Sequence, residues 1–165
     1  MPTVLTPRLS LRALTPADEA AFFELASQSQ VAKFMRFSAC KSREEAGALL
    51  EDYLRPGSLA FAVEERETGL FVGVFAFKRE EDGREYGLST FTEPACWNRG
   101  YACEALSHMI PYAQKELRAA FLTAYVVEGN IGSRRVLEKN GFQVDKILHF
   151  DDLDGGLYVY RLHLN

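Results

Sequence analysis

Cysteine and histidine are scarce in this chain, three of each, and tryptophan occurs once. The cysteines, Cys40, Cys96 and Cys103, are odd in number and form no CxxC, so no disulfide framework is expected and the thiols are read as reduced. Cys96, Cys103 and His108 fit no common zinc spacing, and no metal is expected. His108, His149 and His163 stand at no triad or ligand spacing and are read as structural or surface groups. No apolar run approaches the roughly 20 residues of a membrane span. Met1-Pro2-Thr3 opens no signal peptide, so the expectation is a cytoplasmic protein without a membrane partner. A basic excess is lacking too. The net charge of −4 argues against a nucleic-acid footprint and mildly favours cationic small substrates. What remains is 165 residues, 47% apolar and 25% charged, the profile of one soluble globular domain over 1–165.

The order of elements follows from local signals. Ser10 to Leu14 is strand-like, and Thr15-Pro16-Ala17-Asp18 opens a helix to about Ser27, with Thr15 as N-cap and Pro16 in the first turn. Ser42-Arg43-Glu44-Glu45 is a capping box for a second helix that ends before Pro56-Gly57. Three strand-like runs follow, Leu59 to Glu65, Phe71 to Lys78 and Glu85 to Phe91, with turns short enough for an antiparallel meander. From Ala102 to about Leu117, Ala102, Ala105, Leu106, Met109, Ile110 and Ala113 keep a helical period. Leu122 to Val127 is a buried-type strand. Ile131 to Lys139 is a helix with Asn130 as N-cap and Gly141 beyond its end, and Gln143 to Phe150 and Leu157 to Leu164 close the chain as a strand pair. The order β-α-α-β-β-β-α-β-α-β-β is a single mixed α/β sheet with helices on its faces.

The richest stretch is Trp97-Asn98-Arg99-Gly100-Tyr101-Ala102, between a strand and a helix. Gly100 lets backbone amides crowd a ligand, and the following helix points its unpaired N–H groups and positive dipole end at the same spot. That is a phosphate cradle lacking both common fingerprints, since the chain has no GxGxxG and no GxxxxGK followed by Ser or Thr.

Continued through Cys103-Glu104-Ala105-Leu106, this run resembles the central motif of the GNAT superfamily of acetyl-coenzyme A-dependent N-acetyltransferases, and most of all its ribosomal-protein N-terminal (RimJ/RimL-type) branch. Asn130, Ser133, Val136, Leu137, Lys139, Gly141 and Phe142 stand at the spacing of that branch's second motif. Thr6-Pro7-Arg8-Leu9 with Leu11-Arg12 is similar to its N-terminal strand. The resemblance spans essentially the whole chain and implies the GNAT fold, a mixed, mostly antiparallel seven-stranded sheet flanked by helices. It implies that the coenzyme A pyrophosphate lies on the amides of Asn98, Arg99, Gly100, Tyr101 and Ala102. The Arg99 side chain either adds a charged contact to phosphate or is simply solvated, and Trp97 is read as a packing anchor. It also implies a splay between the strand before the loop and Leu122 to Val127. Pantetheine enters that gap, held by main-chain groups near Phe91 and Thr92 and steadied by Asn130, which doubles as a helix cap. Cys103 stands where the branch more often has Thr or Ser, and is read as a small packing residue.

Acetyl transfer needs a neutral amine, a polarised thioester and a proton for the departing thiolate. An α-amine with a pKa of about 8 is appreciably neutral at physiological pH, whereas a lysine near 10.4 is only ~0.1% so. The resemblance implies Ser133 as the candidate general acid; a plain first-turn helix residue is the other reading. No tyrosine occurs from 133 to 142, where many other GNAT enzymes place one. Glu85, at the start of the central strand, resembles the glutamate that some enzymes of the RimJ/RimL-type branch use as a base through water; a plain solvated carboxylate is the other reading. Phe34, Met35 and Arg36, within Val31 to Ser38, are the candidate acceptor-binding residues, or else a packed connection. The acidic loop Asp151 to Gly156 attracts cations or is merely solvated. The expected reaction moves acetyl from acetyl-CoA directly to a primary amine in a ternary complex, in a monomer or homodimer. The favoured acceptor is a protein N-terminal α-amine; the alternatives are a small-molecule amine (polyamine, amino acid or aminoglycoside) and a catalytically silent acetyl-CoA-binding module.

Overall fold

The turn and cap signals of the sequence fall where the backbone changes direction in a computed structural model, which describes residues 1–164. The strands are β1 (Val4–Leu5), β2 (Leu9–Ala13), β3 (Ser58–Glu65), β4 (Phe71–Arg79), β5 (Glu85–Thr92), β6 (Phe121–Val127), β7 (Gln143–Leu148) and β8 (Leu157–His163). The α-helices are α1 (Glu19–Ala26), α2 (Ser29–Ala32), α3 (Arg43–Tyr53), α4 (Tyr101–Lys115) and α5 (Ile131–Lys139), with single 3-10 turns at Pro16–Asp18 and Pro94–Cys96. All strands join one sheet in the order β1-β2-β3-β4-β5-β6-β8-β7. The expected order is present, with one strand and one short helix more than the sequence announces. β1 is two residues long and α2 four, too short to show a period. Helix α4 runs through Pro111, which cannot donate to the carbonyl one turn back. Met109 and Ala113, fully buried beside it, hold the helix to the sheet.

Two cores cover the two faces of the sheet. Phe61 and Val63 of β3 and Phe75 and Phe77 of β4 face α4, packing with Leu106, Met109 and Tyr160. Their neighbours Ala60, Ala62, Val74 and Ala76 face the other way, onto Phe22, Leu25, Ala46 and Leu50 of α1 and α3. The period-two alternation of large and small residues thus seats α4 and the α1–α3 pair on opposite faces.

Every strand pair is antiparallel except β5–β6. That parallel pair is short. Glu85, Tyr86 and Gly87 are matched with Phe121, Leu122 and Thr123, and no further rungs follow. Meanwhile β5 stays paired to β4 as far as Thr92, and β6 stays paired to β8 as far as Val127. The sheet therefore splits at its centre, opening toward the carboxyl ends of both parallel strands. Ligands in α/β sheets gather at such positions.

Candidate active site

The loop after β5 is shaped by two left-handed residues, Asn98 with φ +61° and Gly100 with φ +78°. Asparagine and glycine tolerate this region best. Their alternation with Arg99 turns successive amides toward one side, as in an anion nest. Gly100 is the N-cap of α4 and has no side chain to cap it. The first intrahelical bond runs from the Glu104 N–H to the Gly100 carbonyl, so the N–H groups of Tyr101, Ala102 and Cys103 have no partner within the helix. The Trp97 indole N–H donates to the Thr92 carbonyl at 3.1 Å and pins the loop to the end of β5. Trp97 is 40% exposed, so it anchors by a hydrogen bond rather than by burial.

Two cavities meet at the split. The first, about 650 Å3, is bounded by Phe91, Thr92, Asn98, Gly100, Tyr101, Ala102 and Cys103 on one side and by the start of α5 on the other. Its charged wall residues are Arg135 and Lys139, four apart on one face of α5 and both cationic. The second, about 760 Å3, lies against β5, α3 and the connection after α2, and its charges are mixed: Arg36, Asp52, Arg55, Lys78 and Glu80. Seven residues border both cavities, among them Phe34, Met35, Thr90, Asn130 and Ser133. The Asn130 side-chain oxygen accepts from the Ser133 N–H at 3.3 Å, which caps α5 and fixes the turn that carries Ser133 to the junction.

The expected site residues divide into groups. Phe91, Thr92, Asn98, Gly100, Tyr101, Ala102, Asn130, Ser133, Phe34 and Met35 come together around the first cavity, and Arg36 borders the second with its guanidinium 4.8 Å from the Tyr125 ring centre. The Phe91 side chain packs in an aromatic group with Phe22, Phe37 and Tyr53. Arg99 turns aside. Its guanidinium pairs with Glu65 at 3.3 Å and lies 4.7 Å from the Tyr101 ring centre, and Arg99 does not border the first cavity. Glu85 is not brought to the cleft. It accepts from the Thr123 hydroxyl and pairs with Arg161 at 3.4 Å, at the closed end of the β5–β6 pair. Six residues of strand, about 20 Å at ~3.3 Å each, separate it from Phe91. The Glu85 carboxylate there ties β5 to β6 and β8. Within the connection after α2, Met35 and Phe37 border the second cavity and also pack against the second core. The loop at 151–156 borders neither cavity.

Some residues of the cleft carry no local signal. Tyr53, at the end of α3, meets Ser89 of β5 with 3.3 Å between their oxygens, inside the second cavity. Burial pushes the Tyr53 phenol above its ordinary range, so it stays neutral. Gly73 of β4 lies against the Phe91 carbonyl, and a Cβ there would also come within 2.8 Å of Thr92 Cα. A glycine inside an apolar strand run is the one hint of this close approach. Arg135 was legible only as the fourth residue before Lys139.

A cationic cavity at an uncapped helix start and a second cavity joined to it suit an enzyme that brings a phosphate-bearing donor to an acceptor. The chain matches the Acetyltransferase (GNAT) domain over residues 8–143 and belongs to that family. It is similar to the uncharacterized N-acetyltransferase YoaA of Bacillus subtilis (strain 168), 28% identical over 152 residues covering 89% of this chain and 86% of the relative. Among solved structures it is similar to a GNAT-family acetyltransferase from Bacillus anthracis, with TM-score 0.87 and 22% identity over 98% of both chains. RimL, the ribosomal L7/L12 alpha-N-protein acetyltransferase, in complex with coenzyme A, gives TM-score 0.86 and 12% identity over 99% of this chain and 98% of that one. The spermidine N-acetyltransferase of Vibrio cholerae with CoA and spermine gives TM-score 0.80 and 18% identity over 95% of each. At these identities the structures speak for the fold. The family assignment and the N-acetyltransferase relative together make the protein an acetyl-CoA-dependent acetyltransferase.

Proposed function

We propose that the chain transfers acetyl from acetyl-CoA to a protein N-terminal α-amine by direct attack in a ternary complex, as a RimJ/RimL-type enzyme of the cytoplasm. The observation that carries the reading is the junction: Thr90, Asn130 and Ser133 border both cavities, so ligands held in the two cavities would meet there. The purely cationic charge of the first cavity and the uncapped start of α4 suit a polyphosphate donor. The split beyond Gly87 leaves unpaired strand backbone for the extended pantetheine arm, and main-chain groups at Phe91 and Thr92 border it. The three cysteines are free thiols, which suits a reducing compartment.

In this reading the amine nitrogen attacks the thioester carbonyl carbon, the carbon–sulfur bond breaks, and the thiolate takes a proton from the Ser133 hydroxyl. The proton lost by the amine restores Ser133 through water. No side-chain base is required, because an α-amine of pKa about 8 offers enough neutral form, and positioning alone is worth up to ~7–11 kcal/mol. The second cavity favours this acceptor over a polyamine. Its three cationic residues outnumber its two carboxylates, and Asp52 is already paired with Arg55 at 3.0 Å. Phe34, Met35 and Tyr125 offer apolar walls for the first side chain of a peptide.

Thiol release from acetyl-CoA over a panel of N-terminal peptides, polyamines, amino acids and aminoglycosides tests the proposal. Peptides are expected to turn over best. A preference for spermidine or another small amine would replace the acceptor, and tight coenzyme binding without turnover would leave a silent binding module. For Ser133→Ala the expected result is kcat lowered about tenfold or more with KM for both substrates unchanged, the pattern of a group acting only in the transition state. An unchanged kcat would remove Ser133 from the chemistry.

A further inference from the structure

The segment Thr6-Pro7-Arg8-Leu9 has no part in the reaction as described, yet it is wired to the coenzyme loop. The Arg8 guanidinium donates from Nε to Glu104 Oε1 at 2.7 Å and from Nη1 to the Arg99 carbonyl at 2.8 Å. The Arg8 main-chain N–H and the Thr6 hydroxyl both donate to Glu104 Oε2, at 2.9 and 2.5 Å. Thr6, 2% exposed, is fixed in turn by Leu9, whose N–H donates to its hydroxyl oxygen at 2.9 Å. Arg66 holds the segment from the other side, donating from its guanidinium to the Thr6 carbonyl at 2.8 Å and from its main chain to the Arg8 carbonyl at 2.9 Å. The Arg8 guanidinium also lies 4.5 Å from the ring centre of Tyr101, the first residue of α4.

These bonds converge on one peptide unit. The Arg99 carbonyl and the Gly100 N–H belong to the same trans peptide plane and point in opposite directions. A donor on the Arg99 oxygen therefore fixes the Gly100 N–H on the side away from Arg8, and Gly100 borders the first cavity. The same guanidinium grips Glu104 in the first turn of α4, setting the start of the helix and the loop in one frame. Glycine is free to adopt many conformations besides φ +78°, so a donor from outside the loop narrows the choice. We propose that Arg8, braced by Thr6 and Glu104, is a positioning residue that presets the amides of the loop for the diphosphate of the donor. It touches neither acetyl group nor amine. The inference rests on the reading of residues 98–102 as the coenzyme seat.

The test compares acetyl-CoA with acetyl-pantetheine, which carries the same thioester but neither diphosphate nor nucleotide. Arg8→Met keeps an apolar stem over Tyr101 and removes the donors. Its expected effect is a rise of about tenfold in KM for acetyl-CoA, the scale of one hydrogen bond to a charged group. The value of kcat stays within about twofold, KM for the amine is unchanged, and the two proteins use acetyl-pantetheine equally. An unchanged KM for acetyl-CoA, or an equal loss on both donors, would overturn the proposal. Arg8→Lys keeps the charge but cannot span Glu104 and the Arg99 carbonyl in one planar fork, so it is expected to retain most of the Arg8→Met defect. Full rescue by lysine would also overturn it, and this variant decides the matter if Arg8→Met does not fold. A wild-type protein that uses the two donors equally would instead defeat the underlying assignment of the coenzyme seat.

Discussion

At Gly100 one backbone angle shapes the loop proposed to seat the coenzyme. A φ of +78° is open to glycine and costs an ordinary L-residue about 1–2 kcal/mol, more if it is β-branched. Gly100→Val is expected to lower coenzyme A affinity by at least about tenfold in calorimetry while the far-ultraviolet spectrum stays folded; unchanged affinity would refute the cradle. Asp18 offers a second measurement at this scale. Burial raises its pKa, but hydrogen bonds from the Arg12 guanidinium at 2.7 and 3.0 Å and from the Thr15 N–H at 2.9 Å outweigh that, and the folded value falls below the ordinary 3.8. The unfolded chain then binds more protons than the folded one across the interval between the two values. The stabilisation is complete above the ordinary carboxylate range and is lost as pH falls through the lowered folded pKa. Wild type is expected to melt above Asp18→Asn at pH 7, and that gap should shrink steadily below about pH 4.

Among the elements, β4 and β5 illustrate how a strand supports a site it does not enter. Gly73→Ala would drive a Cβ into the Phe91 carbonyl and against Thr92, both backbone atoms, so the end of β5 must move. The expected outcome is a loss of about 1–3 kcal/mol in denaturant unfolding together with a raised KM for acetyl-CoA. A normal KM would show that the end of β5 lies outside the donor site. The helices and strands themselves were legible because their signals are local. Asn130 and Gly141 bracket α5, and the sequence places that helix at its observed bounds. The two-residue β1 escaped notice because its pairing with Leu11 and Ser10 is a tertiary fact. The site was less legible. Residues within the two motifs came together, whereas Tyr53, Ser89 and Gly73 matter only through partners 36, 36 and 18 positions away along the chain. Glu85 is the opposite case, a residue of the expected set that lies away from the cleft. A carboxylate at a strand start has no address until it is known which end of the strand pair opens, and here it is the other end.

For the molecule as a whole, β1–β5 and β6–β8–β7 form two subsheets that share three rungs at Glu85, Tyr86 and Gly87. A ligand laid along the split adds contacts to both subsheets at once. Saturating coenzyme A is therefore expected to raise the melting temperature, as for any ligand bound to the native state alone. It is also expected to slow amide exchange beyond Gly87 in β5 and beyond Thr123 in β6, while amides in β3 change little. Equal slowing throughout the sheet would indicate only global stabilisation, and slowing in β5 alone would mean that the ligand does not bridge.

The split also gives this sheet four borders instead of two. Besides β1 and β7 at the outside, the later residues of β5 and β6 face each other across the gap as a second pair of edges. Natural proteins shield such edges because they invite pairing with foreign extended chains. In the proposed reading the pantetheine arm of the donor lies along these edges and would cover them whenever it is bound.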